Sequence, residues 1–323
     1  MGWIGGLFLI VGLSPAQADH QLRVGLFGLY QAQSVLIQAV GNSPVVLQVD
    51  GQRKSWYPQT NSALGIKRRG EQLQLRLITT NQHTGRHQLA NQLNLRWTVA
   101  SDSSAWRVTI DNGRLVRTLR GDLQIRIADG AIQMVLETDM ENLVARVVAS
   151  EMSGITELEA LKALAVVART FGLASRARHR SEGFDFCDTT HCQWYQAEDR
   201  LDRQDRFARL VKQAVTETES VTLSFQGTMH PTYFTGSCGG MTTTPELIWS
   251  NGAAHDATEH QPIACQWCRD SKFYRWQRRV RKSAFTAVIS ERIGVRLSPK
   301  AEIVAEINEQ GFVPAVWIVD RQR

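Results

Sequence analysis

The sequence predicts an α+β fold: a β-rich N-terminal region over residues 19–118, then a mixed helix and antiparallel-sheet domain over 119–323. Three observations carry this. Before residue 119, short apolar or alternating runs are separated by Gly, Asn, Pro and Asp, the punctuation of strands and turns. Between Met140 and Gly172 the apolar residues change to helical spacing. Beyond that, turn signals and short apolar runs return. A chain of 323 residues has room for a sizeable core or for two domains.

Taken in order, Met1–Ala18 has the form of a signal peptide. Trp3–Leu13 is an apolar core too short to span a bilayer, and Pro15 and Ala16-Gln17-Ala18 follow as a small-x-small cleavage pattern. Export to the periplasm or cell wall is therefore expected, with no membrane span after signal removal. Strands are expected at Leu22–Phe27, Val35–Ala39, Val45–Val49, Leu73–Ile78, Leu93–Val99 and Trp106–Ile110. Asp50-Gly51 and Asp111-Asn112-Gly113 supply turns, and Lys67-Arg68-Arg69 is expected in a solvated loop. Leu123–Ile127 and Ile132–Glu137 form a hairpin across Asp129-Gly130. Asp139 then caps a helix starting at Met140.

A second helix follows, with Thr156 and Glu159 in a capping-box arrangement and Leu158, Leu161, Ala165, Ala168 and Gly172 on one face. Between the two helices, in a link containing Ser153 and Gly154, stands Glu151. A carboxyl group backed by apolar residues can have its pKa raised by burial and act as a general acid, whereas spacing alone also fits a solvated glutamate. Asp202–Glu217 reads as a basic amphipathic helix. Val221–Phe225 and Pro231–Phe234 read as a hairpin across Gln226-Gly227, and Ala315–Val319 as a late strand.

Chemistry-bearing residues gather in three places. Cys187 and His191, four apart with Asp188 near, can offer sulfur and imidazole ligands to zinc; a disulfide cysteine beside a hydrogen-bonding His fits equally well. Ser237-Cys238-Gly239-Gly240, after Tyr233, is a turn whose small residues allow close backbone approach to a ligand or serve only the turn. Cys265-Gln266-Trp267-Cys268 suggests redox or zinc chemistry, or a disulfide with Cys238 or Cys192. Five cysteines leave one over if the others pair. Arg269–Lys282 holds seven basic residues interleaved with Phe273, Tyr274 and Trp276, suited to sugar stacking or to a solvated helix face with the aromatics turned inward. The formal charge of +6 points to an anionic partner or surface. For an exported chain, nucleic acid is not expected.

Four segments, in order, resemble one family: Leu119-Arg120-Gly121, the Glu151-Met152 pair with Leu158-Glu159-Ala160-Leu161-Lys162-Ala163 and Ala168-Arg169-Thr170, Cys187–Gln193, and Tyr233-Phe234 leading to Ser237-Cys238-Gly239-Gly240. The pattern is similar to the stage II sporulation protein D and amidase-enhancer family over residues of about 119–270. The resemblance implies a peptidoglycan lytic transglycosylase with Glu151 as its acid and glycan strands as its partner. Ser237, Gly239, Gly240 and Tyr233 would contact substrate. Structural zinc would sit on Cys187 and His191. The alternative it implies is a non-catalytic glycan-binding module that enhances a cell-wall amidase. Members of that family continue to a Gly-His-Gly-rich motif that this sequence lacks, so a C-terminally shortened domain is expected.

Overall fold

The computed structural model describes residues 21–320 except 42, 59–61, 79–86, 100–103, 153, 155, 177, 196–199, 204, 249–261, 309, 310, 312 and 314. The expected signal peptide Met1–Ala18 and Ser153 of the inter-helix link lie outside the described residues. The chain divides into two compact units, Met1–Thr232 and Tyr233–Arg323.

In the first unit the strands are β1 (Gln21–Leu26), β2 (Ser34–Val40), β3 (Val45–Val49), β4 (Gln52–Trp56), β5 (Ala63–Arg69) and β6 (Gln72–Ile78). They continue with β7 (Gln88–Ala90), β8 (Gln92–Trp97), β9 (Ala105–Ile110), β10 (Leu115–Leu119), β11 (Asp122–Ala128) and β12 (Ala131–Asp139). Helices α1 (Met140–Glu151) and α2 (Leu158–Ala174) come next, then the two-residue strand β13 (Phe186–Cys187) and helix α3 (Arg206–Glu217). The fold is α+β, as expected.

One sheet has the order β13-β1-β12-β11-β8-β3-β4 and the other β10-β9-β2-β5-β6-β7. All described pairings are antiparallel except β13 with β1. The pattern change at residue 119 does not divide the sheet: β8 pairs with β11, and β1 pairs with β12 along its whole length. Alternation explains the layering. In β2, β6 and β8 every second residue is buried, which sends Val35, Ile37, Leu73, Leu93 and Leu95 into a common core. Trp97 of one sheet stacks on Trp106 of the other at 4.8 Å between ring centroids.

Three turns use left-handed residues that the sequence marks. Asp50-Gly51 and Asp129-Gly130 both have two successive positive φ angles, as two-residue hairpin loops require, and Asp111-Asn112-Gly113 has three. Gly121, at φ 135°, is the glycine of the Leu-Arg-Gly motif. A β-carbon there would run into the carbonyl of Glu137, and its own carbonyl accepts from the Trp106 indole at 2.7 Å.

Asp139 caps α1 by accepting from the Asn142 amide at 2.8 Å. Helix α2 begins at Leu158 with Glu157 at the N-cap and no side-chain cap, so the Thr156–Glu159 capping box does not form. Glu159 is exposed and pairs with Lys162, while Leu161, Ala165, Ala168 and Gly172 are buried as their spacing requires. Lys67-Arg68-Arg69 ends β5 and is not a loop; Ala63, Leu64 and Ile66 before it in the strand are buried. In place of the expected hairpin at 221–234 there is a single bridge between Phe225 and Thr228; the Leu223 amide, which would bond next in that ladder, donates instead to the Thr170 hydroxyl at 2.9 Å. Among the described residues no helix is long and apolar enough to cross a membrane.

The second unit holds a short helix α4 (Pro245–Ile248), helix α5 (Lys282–Ile293) and a hairpin of β14 (Glu302–Glu306) with β15 (Ala315–Val319). Residues 269–281 are turns, bends and irregular chain, not a helix, and Phe273 and Trp276 stand 61% and 76% exposed rather than packed inward.

Candidate functional site

Glu151 is the last residue of α1, not part of the link that follows. The helix before it is anchored by buried Leu143, Val144, Val147 and Val148, which hold its C-terminal end against the core. The Glu151 carboxyl is half-buried, and one oxygen accepts from the Trp194 backbone amide at 3.1 Å. Burial raises its pKa above the ordinary glutamate value, partly opposed by the Trp194 hydrogen bond. The negative end of the α1 dipole also disfavours the ionised form.

The loop that supplies Trp194 is the cysteine-histidine loop. Its entry is fixed by β13, which joins the edge of β1. The Asp185 carboxylate accepts from the Arg23 amide and that of Asp188 accepts from the Phe27 amide, each at 2.9 Å. Burial raises the pKa of Asp188 to about 6. Gly25 of β1 leaves room for the Phe184 ring, which would come within 2.6 Å of a β-carbon there, and Phe184 in turn stacks on His179.

The result is a four-ligand cluster. Ligand atoms of His179, Cys187, His191 and Cys192 all lie within 4.8 Å of one another. His179 Nε2 is 3.3 Å from Cys192 Sγ, and His191 Nδ1 is 3.6 Å from Cys187 Sγ and 3.8 Å from Cys192 Sγ. Bonds of about 2.3 Å to sulfur and about 2.0 Å to nitrogen at tetrahedral angles separate ligands by roughly 3.5 Å, so this donor set fits a tetrahedral metal ion. His179 Nδ1 lies 2.5 Å from Glu182 Oε1, leaving Nε2 free to ligate. Arg126 and Gln133 both donate to the Glu182 carbonyl, which pins that turn to the sheet. Hydrogen bonding from Cys192 pulls the Cys187 thiol down to about 3, while Cys192 is pushed up.

Cys187 and His191 were legible as a pair. Cys192 and His179 were not singled out as ligands, although Cys192 is the next residue and His179 lies eight before Cys187. Beside the loop, a cavity of about 180 Å³ is lined by Leu29, Tyr30, Arg117, Asp188, Trp194 and Tyr195. The Trp194 ring is 41% exposed.

The residues expected to bind substrate belong to the second unit. Gly239 and Gly240 both have positive φ, 68° and 115°. A β-carbon on Gly240 would meet the Tyr274 hydroxyl at 2.8 Å, and the Gly239 carbonyl accepts from Arg275 at 2.6 Å. Ser237 has a buried hydroxyl, and Tyr233 opens the unit with its ring 36% exposed.

Residues 128–225 match the model of the SpoIID family, described as a stage II sporulation protein. The chain is also similar to an uncharacterized protein of Brachyspira hyodysenteriae, 32% identical over 117 residues, a stretch covering 36% of this chain and 30% of that protein. The match begins on the β11–β12 hairpin and takes in α1, α2, the loop carrying Cys187, His191 and Cys192, and α3. The resemblance drawn from the motifs is thus supported over the segment that carries both Glu151 and the four-ligand cluster, and with it a cell-wall-related role.

Proposed function

We propose that the chain is an exported peptidoglycan lytic transglycosylase that cleaves glycan strands, with Glu151 as its single acid–base group. The observation that carries this reading is the half-buried Glu151 carboxyl with its raised pKa, oriented by the backbone amide of Trp194, a residue that itself lines the cavity of about 180 Å³. In protonated form Glu151 donates to the glycosidic oxygen between N-acetylmuramic acid and N-acetylglucosamine as the bond to the muramic C1 breaks. The resulting carboxylate takes the proton of the muramic C6 hydroxyl, whose oxygen bonds to C1 and closes a 1,6-anhydro ring. The proton returns to Glu151 and no water is consumed, so one carboxyl group suffices where ordinary glycoside hydrolysis uses two. Trp194 and Tyr30 offer rings for stacking on sugar faces, and Arg117 a cation for muramic or peptide carboxylates.

Zinc is the ion we assign to His179, Cys187, His191 and Cys192; when bound there, it supplies a cross-link between the loop and the turn before it. The role is structural, since all four tetrahedral positions are taken by protein. The exposed rings of Trp267, Phe273 and Trp276 support a second reading, a glycan-binding module that enhances a cell-wall amidase without cleaving.

The test is Glu151→Gln, which keeps shape but removes the proton. On peptide-stripped glycan strands, with anhydro-muramic ends counted by mass spectrometry, cleavage should fall on the order of 10²-fold or more while melting and glycan binding persist. Undiminished cleavage would remove Glu151 from the chemistry. A wild-type protein that binds strands but never cuts them would establish the second reading.

A further inference from the structure

The three cysteines of the second unit stand outside the site above, and they are not arranged at random. Ligand sulfurs of Cys238, Cys265 and Cys268 lie within 4.8 Å of one another, and Cys238 Sγ is 3.4 Å from Cys268 Sγ. Two backbone devices bring them together. The Cys265 amide donates to the Gly240 carbonyl at 2.9 Å, next to a bridge pairing Met241 with Ala264. The CxxC segment then turns back on itself, the Arg269 amide donating to the Gln266 carbonyl and the Ser271 amide to that of Cys268. On the other side the left-handed Gly239 and Gly240 fold the chain after Cys238, and the Arg275 guanidinium braces that turn at the Gly239 carbonyl.

A disulfide takes only two of these three sulfurs, whereas one metal ion takes all three. Three thiolates and a doubly charged ion sum to a single negative charge, which the nearby Arg275 offsets.

From this geometry we propose a second zinc site in the second unit, made by Cys238, Cys265 and Cys268, with a fourth position left to solvent or to another group. Borderline-soft Zn²⁺ is the cation that such a sulfur set selects. The ion ties the Ser237–Gly240 turn to the CxxC segment, in a unit whose secondary structure is sparse among the described residues.

Full-length wild-type protein, purified without reductant or chelator, is treated with iodoacetamide before and after a chelator, and the cysteine peptides are read by mass spectrometry. Zinc binding predicts that Cys238, Cys265 and Cys268 are protected together and become reactive on chelation. Protection lifted only by a reductant means a disulfide and overturns the proposal, and so does immediate alkylation of all three. Metal analysis separates this site from the first. Wild type should hold two zinc equivalents, and Cys265→Ser with Cys268→Ser, like Cys187→Ser with His191→Ala, should hold one. Loss of only the first site's zinc, with none found at the second in wild type, refutes this inference and leaves the first assignment standing. The opposite pattern does the reverse.

Discussion

Arg169 of α2 is 1% exposed yet carries a full charge, and replacing it with Met tests how the first unit is held together. Its guanidinium meets Glu141 of α1 with both oxygens, at 2.8 and 2.6 Å, and donates to the Val221 carbonyl at 3.0 Å. One side chain therefore joins α1, α2 and the chain leaving α3. Removing one partner of a buried ion pair costs about 3–5 kcal/mol, because the other charge is left desolvated. The Glu141 side chain is 29% exposed, so water recovers part of that loss and the lower end, about 3 kcal/mol, is expected. In a domain of roughly 200 residues that lowers the melting temperature by roughly 6–12 °C. Circular dichroism melts of Arg169→Met, and of Arg169→Met with Glu141→Leu, give the answer. The double variant removes the stranded carboxylate and should recover most of the loss. A single variant that melts with wild type, or a double variant no better than the single, would refute this account.

The pH dependence of cleavage follows from Glu151. An acid must be protonated, so activity is lost as pH rises through its pKa, and burial places that alkaline limb above the ordinary glutamate range near about 4.3. Cys187→Ser with His191→Ala should lower zinc content, and zinc retained at the wild-type level would exclude these ligands. Gly121→Ala places a β-carbon against the Glu137 carbonyl at a φ of 135°, and a destabilisation of about 3 kcal/mol is expected in denaturant titrations. Glu159→Gln, at an exposed ion pair and not in a capping box, should melt with wild type. Export predicts that the mature N-terminus determined by sequencing lies near Asp19.

The fold was legible wherever periodicity and burial agree. Leu93, Leu95 and their like alternate because one face is buried, and α1 and α2 keep helical spacing because one stripe faces a core. Strands with little apolar signal were missed: β4 is Gln-Arg-Lys-Ser-Trp, four exposed residues at the end of its sheet, and β5 ends in three basic residues. Their strand character comes from the neighbour across the ladder, which local sequence does not contain. For the same reason a boundary in composition at residue 119 is no boundary in the sheet, since β12 completes its hydrogen bonds with β1, more than a hundred residues earlier in the chain.

The candidate site shows the same division between side-chain chemistry and backbone geometry. Glu151, Cys187 and His191 could be named because they fall in motifs that resemble those of a known family, while their side chains alone left a plainer reading open. Trp194 could not, since what it brings to Glu151 is an amide that every residue but proline has. Yet this amide joins the two halves of the site. Trp194 lies two residues after Cys192, so an ion held by the proposed ligands would fix, with the loop, the donor held against the carboxyl. In the proposed mechanism burial keeps the acid weak enough to hold its proton, and that bond, which opposes burial, keeps the carboxylate stable enough to form. A loop released from its metal would lose that balance even with Glu151 untouched. The proposed structural metal thus has a purpose beside an acid that has no direct use for one.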